Sequence, residues 1–169
     1  MLLVGRGETA LTGMPALVDA AYELHDRQQR CRTLIALITI DSWTLMIELN
    51  GHLGVTEEVT LSASNGTRWT SHYDNHDGST GCTLLWAEDA NQRLRFEFND
   101  PGYRTDSTPD KYLDAICHTG FESPEEPAPI DHHPAASAAR VLAEHLAPVR
   151  LMPELFRTIT LSCGSSEIC

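Results

Sequence analysis

Two short segments, CTLLWAE at 82–88 and RLRFEFN at 93–99, alternate apolar and polar residues and flank a four-residue spacer. In the second, Leu94, Phe96 and Phe98 face one way, while Arg93, Arg95, Glu97 and Asn99 face the other. A period of two over this length fixes an antiparallel strand pair with one polar side. Further segments extend the pattern. The run TLIALITI at 33–40 is continuous, apolar and β-branched, as expected of a buried strand. Asp41 and Ser42 turn the chain into WTLMIEL at 43–49, and Asn50-Gly51 is a hairpin turn signal. Segments 55–62 and 68–73 flank Asn65-Gly66 and read as a second hairpin.

Two helices bracket these strands. Pro15 sits where a first helical turn tolerates proline, and Leu17, Ala20, Ala21 and Leu24 follow at helical spacing. Near the other end Pro134 opens a helix with Ala135, Ala138, Ala139, Leu142 and Leu146 as its apolar stripe. Asp131 or His133 is placed to cap it, and Pro148 ends it. A last strand is expected over 156–161. The order predicts an α+β fold, an antiparallel β-meander of about five or six strands with two helices packed on one face. Residues 1–12 read as a flexible leader, 13–161 as a single domain with an acidic loop at 99–131, and 162–169 as a tail. Within that loop the pattern allows a short helical turn at 110–116.

Charge narrows the function. The formal net charge is −12, and residues 1–33 balance. Between 99 and 131 eight acids (Asp100, Asp106, Asp110, Asp114, Glu122, Glu125, Glu126, Asp131) face only Arg104 and Lys111, a net −6. Such a field speeds encounter with a basic partner and repels nucleic acid and anionic membranes. No stretch approaches the roughly 18 apolar residues that span a bilayer. No basic segment precedes the short apolar start, so a secretory signal is not expected. Five cysteines without paired spacing fit reduced thiols in a cytoplasmic protein better than a disulfide framework.

The motifs that mark catalysis are missing: there is no GxSxG, P-loop or HExxH. His72 and His76 in HYDNHD, and Asp131-His132-His133, contain metal-ligand residue types. The first lies in a turn-forming context and the second at a helix start. A solvated hairpin tip and a helix cap account for them, and a metal-dependent hydrolase built on both is the alternative. A small-molecule-binding or regulatory module is a further alternative. Trp43, Trp69 and Tyr73 are aromatic candidates for interface anchors.

The order of elements resembles the first immunity-protein family of bacterial polymorphic toxin systems over roughly residues 14–161. The similarity lies in a leading helix and apolar strand, then a meander with an aromatic segment at Arg68-Trp69. Near the C terminus Ile130 and Pro134 precede the Ala138-Ala139, Leu142, Leu146 helix, followed by Pro153 and a final strand. The chain departs from that family at His145-Leu146 and Thr158-Ile159, where a phenylalanine and a tryptophan are usual, and in its long acidic insertion. The resemblance implies a non-enzymatic, cofactor-free cytoplasmic antidote that occludes the active site of a cognate toxin, one acting on nucleic acid. Asp106, Asp110, Asp114, Glu122, Glu125 and Glu126 are the expected electrostatic contacts with a basic toxin surface, and Trp69 and Tyr73 the expected anchors. No contact with nucleic acid or membrane is expected, and the sequence sets no oligomeric state.

Overall fold

Strand pairing divides the chain between two sheets, and the sequence pattern explains most of the membership. The structure is a computed structural model describing residues 9–27, 32–49, 51–74, 81–98, 100–121, 132–147 and 149–167. Among these residues lie eight strands and five α-helices. They group into two compact units, Met1–Leu53 with Val149–Cys169, and Gly54–Pro148. The second unit is thus an insertion within the first.

The outer unit holds sheet A, in the order β1-β8-β2-β3 and antiparallel throughout. Its strands are β1 (Thr9–Thr12), β2 (Arg32–Ile40), β3 (Trp43–Leu49) and β8 (Thr160–Glu167). β1 lies in the segment read as a leader, and β8 runs on into the segment read as a tail. The β2–β3 hairpin follows the sequence, with Asp41 accepting a positive φ of 54° at the turn. Helix α1 (Gly13–Arg27) packs on this sheet through Leu17, which meets Ala36, Leu161 and Cys163 in one buried cluster. A short helix, α5 (Leu155–Thr158), occupies the start of the segment expected to be the last strand. Gly13 joins β1 to α1 with φ of 78°, and its N–H donates to the Ile159 carbonyl at 2.9 Å. A Cβ there would stand 2.7 Å from the Arg157 carbonyl oxygen, so only glycine fits this crossing.

The inserted unit holds sheet B, an antiparallel meander in the order β4-β5-β6-β7. Its strands are β4 (Arg68–Tyr73), β5 (Thr83–Glu88), β6 (Asn91–Glu97) and β7 (Asp100–Thr105). Leu94, Phe96 and Phe98 are buried on one face, as their alternation predicts. Helix α4 (His132–Leu146) lays its stripe of Ala135, Ala138, Ala139, Leu142 and Leu146 into the same cluster. Phe121 closes it edge-on to Phe96, with ring centroids 5.1 Å apart.

The α+β class and the antiparallel meander stand. The strand number differs, because eight strands form two sheets, and α1 and α4 serve different sheets rather than one shared face. Segment 55–62, read as a strand, is a 3-10 turn followed by helix α2 (Glu57–Ala63). Thr56 takes the extended N-cap conformation, and Glu57 and Glu58 stand in the first turn, where the helix dipole favours acids. Among the described residues no helix is long and apolar enough to cross a membrane.

Candidate partner-binding surface

The inserted unit carries nearly all of the charge. Within 54–148 sixteen acidic residues stand against six basic ones, a formal −10. The remaining residues hold eight against six, a formal −2.

The described part of the acidic stretch is not a loop. It consists of β7, a 3-10 turn at Pro109–Tyr112 and helix α3 (Leu113–His118). Hydrogen bonds fasten it to the sheet. Ser107 and Thr108 each donate twice, through backbone N–H and side-chain hydroxyl, to the carbonyls of Gln92 and Arg93. Apolar anchors hold the rest, with Ile116 buried and the Tyr112 ring edge-on to Trp86 at 4.2 Å. The acids are left on the outside of an anchored segment.

Each carboxylate has a distinct setting. Asp100 accepts the Tyr103 N–H at 3.2 Å. Asp106 sits at φ of 93°, a region aspartate tolerates, and accepts from Gln92 Nε2 at 2.6 Å. Asp110 is 79% exposed and pairs at 2.9 Å with Arg104, whose side chain is only 10% exposed. The same guanidinium donates to the Pro101 carbonyl at 2.6 Å. Asp114 is exposed on α3, and its backbone carbonyl lies 2.6 Å from His118 Nδ1. Glu122, Glu125 and Glu126 lie outside the described residues.

Trp69 and Tyr73 occupy another part of the unit. Both are half-buried on β4. Trp69 Nε1 donates to the Gly54 carbonyl at 3.1 Å, which also accepts the Ser71 hydroxyl, so this face of β4 is committed to the 54–64 segment. β4 and β7 are the opposite edges of sheet B. Three strand spacings, about 14 Å, separate them. The arrangement therefore brings Asp106, Asp110 and Asp114 onto one segment and leaves the two aromatics apart from it. Tyr112 stands among the acids but packs on Trp86, whereas Tyr103 stands among them 72% exposed on β7. Its signal in the sequence was a lone tyrosine between Asp100 and Asp106, obscured by the turn-like Pro101-Gly102.

The two histidine clusters lie mostly outside the described residues. His76 and Asp131 lie outside the described residues, as do the side chains of His132 and His133. Among the described residues no group of three or more His, Cys, Asp or Glu side chains is placed to hold a metal ion. His72 keeps solvent access, yet packed surroundings hold its pKa below the usual histidine value. Asp74 acts against that shift and Arg140 with it. Cys82, Cys117 and Cys163 are in no disulfide; the first and last are buried and Cys117 is exposed. Burial pushes the Cys163 thiol up, partly offset by a backbone hydrogen bond from Leu11.

No curated protein and no solved structure matches the chain. One family model, the family of unknown function DUF6461, matches residues 2–168, and the chain accordingly belongs to that family.

Proposed function

We propose that this chain is an immunity protein, a non-enzymatic antitoxin that binds a cognate bacterial toxin domain and occludes its active site. The observation that carries the reading is the concentration of charge in the inserted unit, −10 of the total −12. An exposed row of carboxylates on an anchored segment supports it. A toxin that acts on nucleic acid has a basic channel for the phosphate backbone, and a carboxylate row offers that channel a competing set of anions. Asp106, Asp110 and Asp114 supply the described part of that row, with Tyr103 as an aromatic contact beside them. Glu122, Glu125 and Glu126 extend it in sequence. The antidote acts in the cytoplasm, where the nucleic acids attacked by the toxin are.

The test is a pull-down of tagged protein from its native lysate at low and high salt, read by mass spectrometry. The expected result is a basic protein encoded beside this gene, retained at low salt and weakened at high salt. Expression of that protein alone should be toxic, and co-expression of this chain should relieve the toxicity. A clean bait at low salt, or a partner whose toxicity persists on co-expression, would remove the antidote reading.

A further inference from the structure

Edge strands in natural proteins are guarded against pairing with other chains, and the edges here differ in that respect. β7 is guarded three ways. Pro101 has no N–H to offer, Asp100 occupies the Tyr103 N–H, and Arg104 occupies the Pro101 carbonyl. β4 carries the charged Arg68 and the exposed His72. β1 is only four residues long. β3 has none of these protections. Its seven residues pair with β2 in unbroken register from Trp43 to Leu49, without a bulge, a proline or a basic residue. Trp43, Leu45, Met46, Ile47 and Leu49 all keep part of their surface exposed.

The one charge on β3, Glu48, is engaged within its own chain. Glu48 Oε2 accepts the Leu53 N–H at 2.8 Å, and the carboxylate lies where a side chain on Gly51 would stand. The strand is also self-complementary. Antiparallel pairing with a second copy about Met46 sets Trp43 against Leu49, Leu45 against Ile47 and Thr44 against Glu48. No like charges face each other, and apolar side chains meet apolar ones on the face that packs α1. Charge at this edge offers little opposition to a second copy. β3 belongs to the unit with a formal charge of only −2.

We propose that β3 is a homodimer interface, joining sheet A of two copies edge to edge about a two-fold axis at Met46. Such an isologous contact closes on itself and extends the sheet from four strands to eight. It does not rest on the antitoxin reading.

The experiment is sedimentation equilibrium of the full chain over a wide concentration range, with Met46→Lys as the test variant. Wild type is expected at twice the chain mass of 18.7 kDa. Met46→Lys sets two ammonium groups across the axis and is expected at the single mass, with an unchanged far-UV spectrum. Should that variant misfold, Met46→Cys serves instead. Mild oxidation should then link the new thiol to its own copy, identified by peptide mapping. A wild type that is monomeric at every concentration overturns the proposal. So does a dimer that survives Met46→Lys, or a Met46→Cys chain that forms no such link. A monomeric wild type in which Met46→Lys abolishes capture of another protein would assign the edge to a different occupant, and would equally overturn it.

Discussion

Gly13 shows how much a single position can decide. Its positive φ and the carbonyl oxygen of Arg157, 2.7 Å from where a Cβ would be, make alanine doubly unfavourable. Gly13→Ala is expected to destabilise the fold by about 1–3 kcal/mol, the cost of strained backbone at a non-glycine residue. Urea denaturation measures it, and a midpoint equal to that of wild type would contradict the account. The cysteines make a second residue-scale prediction. A thiolate is the reactive form, and burial suppresses it. Brief thiol labelling of the native protein, mapped by peptide mass, should mark Cys117 well before Cys82 or Cys163. Equal labelling of the three would mean that the two buried thiols open readily to solvent.

At the scale of elements, the clearest test of the inserted unit is α4. Leu142 is fully buried against sheet B, while its neighbour Val141 is 47% exposed. Leu142→Ala should cost about 2–5 kcal/mol. Val141→Ala should stay within about 0.5 kcal/mol. Comparable losses at both positions in chemical denaturation would mean that α4 packs differently. The α4 stripe and the alternation of Leu94, Phe96 and Phe98 could be seen in the sequence because period alone reports a buried face. α2 was hidden because Val55, Thr56, Val59 and Thr60 are β-branched, yet Thr56-Glu57-Glu58 is a helix start whose acids face the dipole. β7 was hidden because Pro101 and Gly102 look like a turn. What makes that segment a strand is non-local, namely its pairing with β6 and the Ser107 and Thr108 bonds to the same strand. The placement of β8 between β1 and β2 leaves no trace in any local pattern. Of the expected surface, the acids were visible from their density. Their separation from Trp69 and Tyr73 follows only from strand order.

At the scale of the whole molecule, the proposed antitoxin role makes the charge asymmetry between the two units the determinant of encounter with a basic partner. Reversing Asp106, Asp110 and Asp114 to lysine changes the formal charge from −12 to −6. Against the captured basic partner, the association rate at low salt is expected to fall about tenfold and its salt dependence to flatten. Surface-based kinetic binding at several ionic strengths reads both. An unchanged rate would place the contact elsewhere on the molecule.

The insertion of 54–148 between β3 and β8 also sets an order of events during synthesis. β1 has no partner in sheet A except β8, and β2 lacks one of its two neighbours until β8 arrives. Every residue of sheet B emerges from the ribosome before Thr160 does. The inserted unit can therefore acquire its native pairing first, while the earlier-made β2–β3 hairpin, the most apolar part of the chain, waits half-assembled. Of the four strands of sheet A, β8 is the last to be made, so β1 and one side of β2 stay open to wrong pairing throughout synthesis of the inserted unit.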